Sequence, residues 1–286
     1  MKFNLWTNNG AMNSAPVFKA FEIGARKLGH DVVHNSTDGI DVIWSVLWHG
    51  RMAKNREIWD KARVQNKPVV VIEVGNIKRG IYWKIGVNGV NRDAYFAPTG
   101  FDGARKHILD LRAKTWKDNQ EGDILLVTQH NKSEQWRNMP SMSTWVYNTI
   151  EELRSHTDRK ITVRSHPRCR LTDLKFEFKN VQVQDPQKIN GTYDDFDFNC
   201  KQSWAVVNWS SNPAIEAAME GIPVFVSPSS LAYDVGNHDY STIENPLKPD
   251  RTQWLNDYAH VEHDITEIQE GIPIIYLTDY LNKTKI

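Results

Sequence analysis

The stretch Val206–Val226, VVNWSSNPAIEAAMEGIPVFV, decides the fold. It reads as a β-branched strand, a polar Ser-Ser-Asn turn, a short Ala-rich helix opened by Pro213 and ended by Gly221, and a second apolar strand after Pro223. Two strands joined by one helix make a βαβ unit, with the strands parallel in a sheet covered on both faces. Packing alone does not call for Ser210, Ser211 and Asn212 at the strand end, or for Glu216 among alanines. Open α/β sheets bind ligands beyond the carboxyl ends of their strands. A helix N-terminus there offers N–H groups and partial positive charge to a phosphate. A carboxylate one turn further on accepts hydrogen bonds from ribose hydroxyls. Each residue also has a plainer reading. The turn serves equally as a helix cap, and Glu216 as a solvated helix position.

The rest of the chain repeats this alternation. Lys2–Trp6 reads as a strand that enters the polar loop TNNGAMNSAP (7–16), followed by a helix from Pro16 to Leu28 with Gly29 past its end. Strands at Asp31–His34 and Asp41–Trp44, a helix at Asn55–Gln65 and the buried-type run VVVIEVG (69–75) follow. After the polar linker KDNQEGD (117–123) the series restarts. Strand Ile124–Thr128, helix Ser141–Ser155, strand Lys160–Arg164, strand Val181–Val183, a helix-like Tyr193–Cys200 and strand Trp204–Asn208 lead into the opening stretch. The pattern predicts an α/β protein of two Rossmann-like domains facing a cleft, residues 1–119 and 120–286, with C-terminal helices in the second.

Composition narrows the class. With 286 residues and 40% hydrophobic content the chain is long enough for two modest domains. Net charge is zero, but residues 1–120 hold 19 Lys/Arg against 11 Asp/Glu, and residues 121–286 hold 16 against 24. The first half is thus expected to meet something acidic, although two ordinary solvated surfaces differ in the same way. Cys169 and Cys200 have neither metal-knuckle spacing nor disulfide density. No apolar run reaches about 18 residues, so no membrane span and no signal peptide are expected, and the expected location is the cytoplasm (of a host, if phage-encoded). The acidic Asp194-Asp195-x-Asp197 reads as a loop and helix cap, and no metal site is expected.

Two further strand ends in the second half carry polar groups: Gln129 in QHNKS (129–133), and Arg164 with His166 in RSHPR (164–168). Together with Ser210, Ser211, Asn212 and Glu216 they form the candidate ligand site. At these residues the pattern NWSSNPAIEAAMEGIPVFV resembles the donor-binding element of GT-B-type glycosyltransferases. KPVVVIEVGNIKRG (67–80), LLVTQHNKS (125–133) and RTQWLNDYAHVEHDITEIQEG (251–271) are similar to segments of the capsular-polysaccharide, Kdo-transferase-like branch and of phage DNA glycosyltransferases. The resemblance implies a donor domain in the second half and an acceptor domain in the first. It implies Ser210 and Ser211 on the donor diphosphate, Glu216 on the ribose, and His166 and Gln129 facing phosphates or donor sugar. The co-substrate would be a nucleotide sugar, a UDP-sugar first, with no other cofactor. Where that branch often has Glu-Asp-Gly, this chain has Glu73-Val74-Gly75, so any role of that aspartate does not transfer.

Sugar transfer needs a base or nucleophile and a stabilised leaving phosphate. Glu73, at the end of a buried strand, is the first catalytic candidate; a structural acceptor for loop N–H groups is its other reading. Asp38 and His49 are the reserves. For the acceptor, Arg51, Lys78 and Arg79, with further cations such as Lys84 and the aromatic Trp83, suit a double-stranded DNA carrying a 5-hydroxymethylpyrimidine. A capsular or lipopolysaccharide acceptor fits the same residues, and so does a non-transferase, epimerase-like nucleotide-sugar binder. A Rossmann oxidoreductase falls away, because no G-x-G-x-x-G follows the first strand.

Overall fold

In a computed structural model, which describes residues 1–171, 178–191 and 195–284, the alternation resolves into two units. The first, Met1–Leu111 with Lys132–Glu134 and Leu255–Ile286, opens with β1 (Lys2–Leu5), α1 (Ala15–Lys27), β2 (Asp31–His34), β3 (Ile40–Trp44), α2 (Asn55–Val64), β4 (Val69–Val74), β5 (Tyr82–Val87) and α3 (Ala104–Ile108). The second, Arg112–Asn131 with Gln135–Trp254, holds β6 (Ile124–Val127), α4 (Met142–Arg154), β7 (Ile161–Arg164), β8 (Val181–Gln184), β9 (Ala205–Asn208), α5 (Pro213–Glu220) and β10 (Val224–Val226). Then come α6 (Thr252–Tyr258), β11 (Glu262–Asp264), α7 (Ile265–Gln269) and α8 (Ile272–Lys283). Residues 195–200 lie in no helix, unlike the expected Tyr193–Cys200 segment, whose first two residues fall outside the described ones.

The sheet of the first unit has the order β11-β5-β4-β3-β1-β2, with β1 to β4 parallel, β5 antiparallel to β4 and β11 antiparallel to β5. Alternation assigns its faces. Ile72, Trp83, Ile85 and Val87 join Phe3, Phe18 and Phe21 in one core, while Val69, Val71, Trp59 and Ala62 form the other beneath α2. The sheet of the second unit, order β10-β9-β6-β7-β8, is parallel throughout, and its first strand β6 lies between β9 and β7. The chain therefore reverses direction across the sheet at β6 and β9, which places the crevice of the switch point at their carboxyl ends.

The C-terminal helices correct the expected domain division. Ile268, Ile274, Leu277 and Leu281 complete the first unit's core, and β11 covers the edge of β5. An apolar helix face and a sheet edge both require cover, and one returning segment supplies both. The exchange also removes most of the charge asymmetry. The first unit carries 19 Lys/Arg against 17 Asp/Glu and the second 16 against 18.

The opening stretch folds as read. Gly221 ends α5 in the left-handed region at φ 80, and a Cβ there would meet the Thr115 carbonyl oxygen at 2.2 Å. Arg251 closes the same helix end by donating to the Ala218 and Lys114 carbonyls, with its guanidinium 3.6 Å from the Trp116 ring centroid. In the first unit Gly75 is equally constrained, because a Cβ would lie 2.3 Å from Oε2 of Glu262. That fully buried carboxylate accepts from the backbone N–H groups of Asn76 (2.7 and 2.8 Å) and Ile77 (2.8 Å) and from the Tyr258 hydroxyl (2.5 Å). Gly75→Ala displaces it from these donors and is expected to lower unfolding free energy by about 2 kcal/mol, as read by urea denaturation.

Candidate functional site

The second unit's site is built from three strand ends. Beyond β6, the Thr128 Oγ1 accepts the His166 backbone N–H at 2.8 Å, joining the ends of β6 and β7. Beyond β9, Asn208 shapes the Ser-Ser-Asn turn. Its Nδ2 donates to the Val127 carbonyl (3.1 Å) and to Ser211 Oγ (2.7 Å), and its Oδ1 accepts the Ser211 N–H (2.8 Å). Gln129 Oε1 accepts both the N–H and the hydroxyl of Ser210 at 3.2 Å.

These bonds divide the residues expected to hold the donor. Gln129 and Ser210 are buried and bonded to each other, so they brace the turn from beneath instead of facing a ligand. Ser211, Asn212 and Glu216 stay half-buried around the start of α5. The capping reading of the turn fails: Asn212 is helical (φ −49, ψ −34), and α5 has no side-chain cap hydrogen bond. Pro213 stands at the first helical positions and has no N–H to cap. Arg164 is also committed. Its buried guanidinium donates to the Asp197 carbonyl, sits 3.8 Å from the Asp197 carboxylate and lies over the Phe198 ring at 5.3 Å.

Two titratable side chains stand near these strand ends. His166 accepts the Arg168 backbone N–H at Nδ1 (3.1 Å), so its neutral ring donates from Nε2. Its ring meets that of His130 edge-on at 5.3 Å between centroids. Glu216 is pushed up to about 7, first by burial and then by Glu220, against the opposing charges of Arg164 and Lys201. A hydroxyl, an amide and a carboxylate thus stand beyond β9 at the start of α5, and an imidazole stands beyond β7, residue types suited to phosphate oxygens and a ribose diol. The buried Cys200 thiol, pushed up to about 12 by burial, is no nucleophile here.

In the first unit Glu73 stands half-buried near the carboxyl end of β4. Oε2 accepts the Ser45 hydroxyl at 2.5 Å, and Oε1 accepts the Val74 N–H at 2.8 Å. Ser45 has φ 61, an uncommon conformation for a residue with a Cβ, and its Oγ also accepts the Leu47 N–H at 3.0 Å. The two reserve candidates are placed differently. Asp38 is exposed and ion-paired to Lys2 at 2.6 Å, beside the start of β1 and thus at the amino end of the parallel strands. His49 is exposed, at the cap of the 3-10 turn Gly50–Lys54 beyond β3.

Arg51, Lys78 and Arg79 are exposed, as an acceptor contact requires. Trp83 is not. It lies on β5 within the core, where no base or sugar reaches it. Lys84, counted among the surface cations, is 2% exposed. Reasoning from sequence passed over Thr128, Asn208, Ser45 and Glu262; a polar residue closing an apolar strand, as in VVN (206–208), was the available signal. Among the described residues no group of three or more His, Cys, Asp or Glu is placed to hold a metal, and Asp194 lies outside them. No described helix is long and apolar enough to cross a membrane.

No protein-family model matches the chain, and no curated protein matches it in sequence. Solved structures do. The KpsC β-Kdo 2,4 transferase of Thermosulfurimonas dismutans is similar with a TM-score of 0.50 at 14% identity, over 98% of this chain and 98% of that one. The fold is of the GT-B type. The β-Kdo 2,7 transferase KpsC of the same organism gives 0.48 at 12% identity, over 96% and 99%. A UDP-GlcNAc 2-epimerase of Methanocaldococcus jannaschii, in complex with UDP-GlcNAc and UDP, gives 0.37 at 12%, over 98% and 100%.

In this GT-B chain Glu216 leaves a signature in stability. Its folded value is raised, so between about 4.5 and about 7 the folded state holds a proton that the unfolded state has released. Stability due to this group therefore declines as pH rises through that window and stays lower above it. Glu216→Gln is expected to match the wild type near pH 4.5 and exceed it at pH 8 by on the order of 1–3 kcal/mol, followed by denaturation at both pH values.

Proposed function

We propose that the protein is a nucleotide-sugar-dependent glycosyltransferase that transfers a sugar to a hydroxyl of a saccharide acceptor. The observation that carries this reading is the braced turn at the β6–β9 switch point, which leads into Ser211, Asn212 and Glu216, with His166 tied to the end of β6 through Thr128. In this reading the donor's ribose hydroxyls donate to the Glu216 carboxylate, and His166 Nε2–H and the Ser211 hydroxyl donate to its phosphate oxygens. As the bond between the anomeric carbon and the phosphate oxygen breaks, those donors stabilise the charge that develops on the leaving phosphate. Glu73, oriented by Ser45, takes the proton of the acceptor hydroxyl as the new glycosidic bond forms.

The acceptor reading moves away from DNA. The excess positive charge of the first half largely disappears once the C-terminal segment is counted with the first unit, and Trp83 and Lys84 are core residues. Arg51, Lys78 and Arg79 remain for an anionic saccharide of the capsular or lipopolysaccharide kind, in accord with a β-Kdo transferase sharing the fold.

Incubation with nucleotide sugars, UDP-sugars first, and with either oligosaccharide acceptors or hydroxymethylpyrimidine DNA is expected to add a sugar mass to the oligosaccharide. A sugar mass on the DNA instead would overturn the acceptor reading. By calorimetry, Glu216→Ala is expected to weaken donor binding by about 1–3 kcal/mol. Because the carboxylate form accepts the ribose bonds, wild-type affinity is expected to rise as pH climbs through about 7, while Glu216→Gln shows no such rise. Unchanged affinity in Glu216→Ala removes the ribose role.

A further inference from the structure

Four neighbouring strands of the first unit place a row of polar side chains on one face. Trp44 is level with Ile72, so Ser45 follows at the level of Glu73, to which its hydroxyl donates. Glu73 lies directly opposite Lys84 on β5, and Lys84 lies directly opposite Glu262 on β11. Residues directly opposite on antiparallel strands point to the same face, with Cβ atoms about 5 Å apart. The row therefore runs Ser45, Glu73, Lys84, Glu262 on the face covered by α2, since Ile72, Trp83 and Ile85 occupy the other face.

The members of the row differ in what surrounds them. Glu262 is fully buried and already accepts from two backbone N–H groups and the Tyr258 hydroxyl. Lys84 is almost as deep, in the only kind of place a buried ammonium is tolerated, between opposite charges. Glu73 is the half-buried end. A carboxylate fixed at one end thus holds a lysine that faces the other.

We propose that Lys84 is a positioning residue: anchored by Glu262, its ammonium holds the Glu73 carboxylate, with Ser45, toward the carboxyl end of β4. This rests on the reading of Glu73 as the group that receives the acceptor proton. The charged groups facing Lys84 are Glu73 from β4 and Glu262 from β11. Tyr258 from α6 joins through Glu262, and burial keeps its phenol protonated. The buried α2 residues over this face, Trp59 and Ala62, do not titrate. Burial lowers the Lys84 titration and the two carboxylates oppose that shift, as expected of a charge retained by its neighbours.

The test follows the Glu73 carboxyl by carbon NMR in protein labelled at the glutamate side-chain carboxyl, assigned by its loss in Glu73→Gln. In Lys84→Met, which keeps volume and removes charge, the Glu73 titration is expected to move up by about one pH unit or more. The same titration in wild type and variant overturns the proposal. A reciprocal measurement covers a variant that does not fold. In Glu73→Gln, which leaves the core intact, the Lys84 side-chain Cε signal is expected to titrate at lower pH than in wild type, and an unmoved titration overturns the proposal. In the transfer assay the acid limb of the kcat profile of Lys84→Met moves up with the carboxyl, while the donor KM is unchanged. An acid limb that stays in place while the carboxyl moves denies Lys84 its part in the reaction. Absence of transfer from wild type with every sugar removes the glycosyltransferase reading, whereas the two NMR titrations still decide whether Lys84 sets Glu73.

Discussion

The buried carboxylate of Glu262 is the constraint on which the geometry at the end of β4 depends. An ionised carboxylate away from water is tolerated only when its oxygens are filled with donors. Here the donors are the N–H groups that open the loop after β4 and a phenol from α6. Sequence-distant segments, 67–80 and 251–271, are thereby held to one geometry. Gly75 is required because the carboxylate occupies the space where a side chain would begin. The end of β4, and with it Glu73, takes its position from a residue that follows it by nearly two hundred places in the chain.

The second unit reaches the same result with amides. Gln129 and Asn208 stand at the ends of adjacent parallel strands, where backbone N–H groups of the following turn lack sheet partners. Their side chains supply those partners and hold the turn to the strand ends. Preorganised donors of this kind avoid reorganisation when charge develops on a leaving group. Adjacent serines then differ in setting: Ser210 is tied to Gln129, and Ser211 is held by Asn208 at the half-buried start of α5.

Much of the architecture was legible because it follows from local periodicity. The β-branched runs at 69–75 and 206–208, the proline and glycine at the ends of α5, and the restart at Ile124 each specify an element through short-range sterics and apolar patterning. The candidate site was legible as a location: polar residues closing apolar strands marked the strand ends at which it is proposed. The roles within it were not. Whether Ser210 or Ser211 reaches the surface depends on Gln129, which precedes them by about eighty residues. Trp83 and Lys84 sit in a segment whose composition suits a loop, and only pairing with β4 and β11 puts both in the interior.

The sequence by itself determined the alternation of strands and helices, the restart that makes two units, and the strand ends at which polar chemistry is concentrated. These depend on neighbours within a few residues. Only the tertiary structure decided that the C-terminal helices complete the first unit, that its charge is nearly balanced, and which polar side chains brace a loop and which stay half-buried beside it. Burial and hydrogen-bond partnership are long-range quantities, fixed when segments far apart in the chain close over the same face of a sheet.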